Sequence, residues 1–238
     1  MQLLDLTLPT PAENLALDEA LLDAAETGQT GEILRFWEAP RPLVVLGRSS
    51  VAAAEVDLDR CQSLGIPVLR RASGGAAIVA GPGCLMYGVV LSYQRQPALR
   101  MLDQAHEFVL SRIALALRRL GHDVSRQGTS DLALAGRKFS GNSLRCKRDH
   151  LLYHGTLLYD FPLDLIGQLL RTAPRQPAYR AGREHGDFVV NLPVVEQQLR
   201  QVIANSFEAW QVASSWPANQ AASLVAERYS QSAWNMIR

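Results

Sequence analysis

Three short segments carry residue types that could do chemistry together. The first is Arg70-Arg71-Ala72-Ser73-Gly74-Gly75-Ala76-Ala77. Its small residues let a backbone approach a ligand closely and turn free N–H groups toward an anion, and its arginines are forked cations suited to phosphate or carboxylate. The segment reads either as a cradle for a nucleotide phosphate or acyl-adenylate, or as a tight turn with solvated arginines. It has neither the GK[ST] of a P-loop nor the GxGxxG of a dinucleotide site. The second pair, Asp131 and Lys138, stands seven residues apart in GTSDLALAGRKFSGNS. A hairpin turning near Ala135-Gly136 would point both into one cleft. There the lysine could neutralise charge on a transferring phosphate and carboxylate, and the carboxylate could hold a divalent cation bridging phosphates. The alternative is a surface ion pair. The third segment is His154-Gly155-Thr156, where the histidine is either catalytic or a satisfied core residue. The glycine after it hints at close backbone approach.

Periodicity supplies the elements that would hold these residues. A helix is predicted over 13–26, with polar Asp18, Glu19, Asp23 and Glu26 set against apolar Leu15, Leu17, Leu21 and Leu22. Strands are predicted at 32–37 and 42–47, a short helix at 57–64 ended by Gly65, and a strand at 67–71 running into the glycine-rich turn. Strands at 76–79 and 84–93 flank the turn GPG, and 151–161 forms another. The clearest helix is 101–120, where Leu102, Ala105, Val109, Ile113, Leu117 and Leu120 recur at three and four and Gly121 stops the run. Helices follow at 163–171 and 193–212, separated by the polar segment RTAPRQPAYRAGREHGDF, the kind of loop that is often functional or mobile. Strands and helices alternate without a regular βαβ pattern. The expectation is therefore an α/β or α+β fold, a mixed central sheet flanked by helices, forming one domain over 1–238.

A length of 238 residues suits one such domain, and 47% hydrophobic with 20% charged residues is ordinary for a folded protein. The net charge of +1 argues against nucleic acid as the main partner. Cys61, Cys84 and Cys146 form no CxxC pair, and an odd count without a basic, apolar leader reads as a reducing compartment. No apolar run approaches the ~18 residues of a membrane span, so a cytoplasmic location is expected.

Together the blocks NLALDEALL, ILRFW, VVLGRSS, GIPVLRRASGGAAIVAGPGCLMYGVVL, SDLALAGRKFSGNS, LYHGTLL, VVNLP and ERYSQSAWN resemble the lipoate–protein ligase A family of the biotin/lipoate ligase superfamily. They occur in the family's order over nearly the whole chain. The resemblance implies a mixed sheet related to class II aminoacyl-tRNA synthetases. It implies a two-step ligase in which lipoate or octanoate and magnesium–ATP give an acyl-adenylate. The adenylate then passes its acyl group to a lysine of a lipoyl-domain protein, such as a 2-oxoacid dehydrogenase acyltransferase subunit or glycine-cleavage H protein. Lys138 falls on the family's lysine, which contacts the acyl carbonyl and phosphate. Arg71, Ser73, Gly74, Gly75 and Ala76 fall on the substrate loop, Asp131 on the acid serving metal and nucleotide, and Ser140, Gly141, His154 and Gly155 on the adjoining binding blocks.

The sequence departs from the pattern in four places. Ala76 replaces a third glycine, Ala80-Gly81 a His-Asp pair, Cys84 an asparagine, and Thr129-Ser130 an Arg-Asn pair. The chain stops soon after Trp234-Asn235, which leads to the expectation of no C-terminal accessory domain and of a separate accessory protein that assists adenylate formation. Two other readings stand beside the ligase. Octanoyl- and lipoyltransferases of this fold use a cysteine thioester without ATP, but the two family positions for that cysteine hold Leu151 and Gly128 or Thr129 here. Cys61, Cys84 and Cys146 read as structural. A non-catalytic acyl-adenylate-binding module is the third reading. Arg145, Lys147 and Arg148 form a basic segment that could meet an acidic acceptor or simply be solvated.

Overall fold

A computed structural model describes residues 1–172 and 176–237; residues 173–175 of the long polar segment and residue 238 lie outside the described residues. The strands are β1 (Gln2–Asp5), β2 (Ile33–Trp37), β3 (Leu43–Leu46), β4 (Val68–Arg70), β5 (Ile78–Ala80), β6 (Cys84–Ser92), β7 (Val124–Gln127), β8 (Asp131–Leu134), β9 (Arg137–Cys146), β10 (His150–Leu158) and β11 (Gln211–Val212). The helices are α1 (Pro11–Glu26), α2 (Ala52–Glu55), α3 (Leu58–Ser63), α4 (Leu102–Arg118), α5 (Asp164–Leu169), α6 (His185–Phe188), α7 (Glu196–Ser206), α8 (Ala218–Leu224) and α9 (Ser232–Asn235), with a π-helical turn at Val225–Tyr229.

Eight strands form the central sheet in the order β11-β1-β2-β6-β10-β9-β8-β7, and β4-β3-β5 form a small second sheet. Pairing is parallel at β11-β1-β2 and antiparallel from β2 onward, so the central sheet is mixed. Its middle strands, β6 and β10, are long apolar runs because both faces are covered. On one face Leu85, Tyr87, Val89 and Leu91 pack with Leu34, Phe36, Leu151 and Tyr153 under α4 and α7. On the other, Val90, Leu152 and Ile33 pack against Leu17, Leu21 and Leu22 of α1. The small sheet builds its own core from Val44, Val45, Val79, Ile166, Phe188 and neighbours. A mixed sheet flanked by helices is thus the observed architecture.

The local signals work as expected in most places. Thr10 and Glu13 form a capping box at the start of α1. Gly65 and Gly121, with φ of +64° and +89°, end their helices. Two expectations need correction. The predicted helix 193–212 ends at Ser206, and Gln211–Val212 instead adds a parallel edge strand beside β1. Glu208, with φ of +54°, turns the chain between them. The predicted amphipathic helix over 13–26 is buried nearly all round: Asn14, Asp18 and Glu19 are 0%, 3% and 3% exposed. None of the described helices is long and apolar enough to cross a membrane.

Candidate functional site

The glycine-rich segment joins β4 to β5 and is tied down from within. Buried Arg70 donates to the carbonyls of Gly47 at 2.7 Å and Ser50 at 2.8 Å. Arg71 also turns inward. Its guanidinium donates to the carbonyls of Val45 (3.2 Å), Gly74 (3.1 Å) and Ala76 (3.0 Å) and to Ser73 Oγ (3.1 Å). Burial lowers its pKa to about 10, against the raising charge of Glu55 and with the lowering charge of Arg70. Gly74 is exposed on the loop, and its carbonyl also accepts from Ser143 Oγ at 3.0 Å. Gly75 holds φ of +89°, and a Cβ there would stand 2.7 Å from Arg71 Nη2. Ala76 is not in the left-handed region, so the loop accepts alanine where the family has a third glycine. On the far side Glu55 Oε2 accepts from Ala77 N at 2.7 Å and Ser50 Oγ at 3.1 Å.

The predicted hairpin is β8–β9, turning through Ala135 and Gly136 with φ of +48° and +73°. A register shift places Lys138 opposite Ala133 and Ser140 opposite Leu132, so Phe139 is the extra residue of a bulge. The result is a close pair across the strands: Lys138 Nζ lies 2.8 Å from Asp131 Oδ1. Tyr179 OH donates to Asp131 Oδ2 at 2.8 Å. Burial, then the carboxylate's charge, pushes the Tyr179 hydroxyl far up, so it stays a donor. Gly141 leaves the space Lys138 occupies, since a Cβ there would come 2.8 Å from Nζ. Both oxygens of Asp131 are engaged, by Lys138 and Tyr179, and the described residues hold no cluster of three His, Cys, Asp or Glu.

His154 lies on the β10 face beneath α1, with Nε2 2.5 Å from Ser73 Oγ and Nδ1 3.7 Å from Asp18 Oδ2. Asp18 is buried, which alone would raise its pKa. The charge of Arg35 and the contacts of His154 outweigh that and hold it below the ordinary carboxylate value. A Cβ on Gly155 would collide with Asn142 Oδ1, which accepts from Tyr87 OH at 2.5 Å. Asn142 Nδ2 donates to Ser130 O at 2.8 Å and Ser140 Oγ at 3.0 Å. The glycine is therefore a close-approach position, as its place in the strand suggested.

Two cavities flank this centre, each of about 120 Å³. One is bordered by Lys138, Ser140, Arg180 and His185 with apolar Leu158 and Phe188. The other is bordered by Arg71, Gly75, Ala76, Met86 and His154. Ile78, Gly141 and Thr156 line both. The structure thus brings the three sequence segments into one site.

Sequence reasoning did not single out Glu55, Asn142 or Tyr179, and took Asp18 only as part of a helix face. The basic segment is partly spent on the fold: Arg145 donates to Ala72 O at 2.9 Å, Lys147 pairs with Asp23, and Arg148 is exposed. Cys61 and Cys84 are buried, which raises both thiols, and Cys146 is exposed; none of the three borders either cavity. Trp234 packs back on the fold, donating to Arg70 O at 2.9 Å, while Met236 and Ile237 are exposed.

Residues 10–208 match the model of the lipoyl protein ligase A/B catalytic domain. A probable lipoate-protein ligase A of Mycoplasma pneumoniae is 32% identical over 160 residues, 67% of this chain and 46% of that protein. Octanoyltransferase LipM of Carboxydothermus hydrogenoformans is 31% identical over 176 residues, 67% of this chain and 65% of that one. The chain thus matches about half to two thirds of these relatives' length. Among solved structures, a lipoate-protein ligase A bound with ATP superposes with a TM-score of 0.84 at 26% identity, covering 99% of this chain and 98% of the other. A bi-partite lipoate protein ligase of Thermoplasma acidophilum, described with its E2 lipoyl domain, gives 0.84 at 25%, covering 99% and 95%. The chain belongs to the lipoyl protein ligase A/B catalytic domain family.

Proposed function

We propose that the chain is a lipoate–protein ligase. It joins lipoate or octanoate to the ε-amine of a lysine on a lipoyl domain or a glycine-cleavage H protein, through an acyl-adenylate made from ATP. One observation carries this reading: Lys138, held by Asp131, borders one cavity and lies over the Cβ-free Gly141, which lines both. A mixed anhydride lying there has anionic oxygens on both carbonyl and phosphate during attack, and a fixed ammonium stabilises them. The loop-side cavity, with Met86, suits the acyl chain, and the side with Arg180 and His185 suits the nucleotide. The absence of a cysteine among the described residues along either cavity favours this route over a cysteine thioester. The relatives named above include an octanoyltransferase, so an ATP-independent transfer is the second reading.

The test is intact-mass analysis of a lipoyl domain incubated with this chain, lipoate, ATP and magnesium. Modification only when ATP is present supports the ligase. Modification from octanoyl carrier protein without ATP supports the transferase. No modification under either condition refutes both and favours a binding module.

A further inference from the structure

A row of residues crosses the central sheet beneath α1. Strand register sets Arg35 opposite Gly88, Gly88 opposite His154, and His154 opposite Ser143. Gly88 has no side chain, and the Asp18 carboxylate sits above it; a Cβ there would be 3.7 Å from Oδ1. Asp18 therefore reaches both neighbours: Arg35 Nη1 donates to Oδ1 at 2.5 Å, and Oδ2 stands 3.7 Å from His154 Nδ1. An ionised carboxylate only accepts, so the proton of a neutral imidazole belongs on Nδ1. In that tautomer Nε2, 2.5 Å from Ser73 Oγ, is the acceptor of the hydroxyl proton. Arg71 Nε donates to the same Oγ at 3.1 Å and fixes the hydroxyl from its other side.

We propose that Ser73 is an acyl-accepting nucleophile, activated by His154 and Asp18, and that the chain takes medium-chain acyl groups from thioesters as a serine ester. This rests on the second, ATP-independent reading of the site and not on the ligase reading. Ser73 Oγ attacks the thioester carbonyl while its proton moves to His154 Nε2; the C–S bond breaks and the leaving thiolate takes that proton. A lysine amine or water then attacks the ester, and the proton it loses returns through His154 to Ser73 Oγ. Asp18 stabilises the imidazolium in both halves. The 3.7 Å gap to His154 is longer than a hydrogen bond, and the relay requires it to close when substrate binds, as catalytic contacts often do. Ser73 is 2% exposed beneath exposed Gly74, Gly75 and Ala76, so acylation requires this loop to part from Ser143. The relay gives the site an acyl acceptor in a chain whose cysteines lie elsewhere.

The experiment incubates the full chain with octanoyl-coenzyme A, and separately with octanoyl carrier protein, without ATP, followed by acid quenching, intact mass and peptide mapping. The expected result is one octanoyl group on the peptide containing Ser73. It should be absent from Ser73→Ala and at least about 100-fold slower to form in His154→Gln, with both variants melting like the parent. Ser73→Cys should recover acylation as a thioester released by neutral hydroxylamine. An unmodified parent chain, or an adduct that maps to Cys146 and persists in Ser73→Ala, overturns the proposal. Because ATP is withheld, either result leaves the ligase assay to be judged separately.

Discussion

Gly141→Ala tests whether the position of the Lys138 ammonium, rather than the fold around it, governs transfer. A Cβ at 141 would lie 2.8 Å from Lys138 Nζ and 2.9 Å from Cε, against the ~3.5–4.0 Å of an ordinary contact. The ammonium must therefore move by roughly 1 Å. Gly141 sits in β9 outside the left-handed region, so alanine meets no backbone strain and slightly favours the strand. Stability should be unchanged or marginally higher. Catalysis should not: a displacement of about 1 Å in a reacting group costs on the order of 100-fold, about 2.7 kcal/mol. Removing the group in Lys138→Ala should cost roughly 100- to 1000-fold. Both are read as initial rates of mass gain on a lipoyl domain, alongside melting curves. The double variant decides whether Gly141→Ala acts through Lys138 or by filling the cavities that Gly141 lines. It should be no slower than Lys138→Ala alone. If the two losses multiply, or if Gly141→Ala transfers normally, the account of Lys138 fails.

Other outcomes follow from the same geometry. Gly75→Val places a branched side chain at φ of +89° against Arg71, and calorimetric titration with a non-hydrolysable lipoyl-adenylate analogue should show binding lost; unchanged affinity would make the loop a mere turn. Gly155→Ala should destabilise by about 1–3 kcal/mol by driving Asn142 away from Tyr87 and Ser130, and an unaltered melting temperature would contradict the close packing. Asp18→Asn leaves the buried Arg35 guanidinium without its counter-ion and should cost about 3–5 kcal/mol in urea denaturation. Because the folded pKa of Asp18 is depressed, its contribution is full above the unfolded value of about 3.9 and is lost as pH falls through the lower folded value. The parent chain should therefore weaken below about pH 4, and Asp18→Asn should show less of that loss.

Local chemistry was legible because its signals are local. The Ala135-Gly136 turn, the stop at Gly65 and the capping box of Thr10 and Glu13 each depend on a few adjacent residues. The ordered motif blocks likewise named the loop, the Asp131–Lys138 hairpin and the His154 strand, all of which meet at one site. What escaped depends on distant partners. Tyr179 is 48 positions from Asp131, and Glu55 is 22 from Ala77, so nothing in their own neighbourhoods marks them. The edge strand at Gln211–Val212 escaped because its only reason to be extended is β1, at the other end of the chain.

The burial of the polar face of α1 has the same cause and a larger consequence. Acids recurring at three and four ordinarily mark a solvated helix face. Here they meet cations delivered by other elements: Asp18 meets Arg35, Glu19 meets Arg228 and Arg145, and Asp23 meets Lys147. A buried carboxylate is costly unless it is paired and hydrogen-bonded. Arg35 donates to Asp18, to the Asn14 carbonyl at 2.8 Å and to Asn14 Oδ1 at 2.7 Å. Tyr229 OH donates to Glu19 Oε2 at 2.7 Å. These links join α1 to the π-helical turn at Val225–Tyr229, to β2 and to β9, and the site residues His154 and Ser73 hang from the same network. A hydrophobic replacement of the Asp18–Arg35 pair could hold the helix to the sheet equally well. It would leave His154 with no carboxylate to orient its ring, so the buried acid is better explained by what it positions than by what it stabilises.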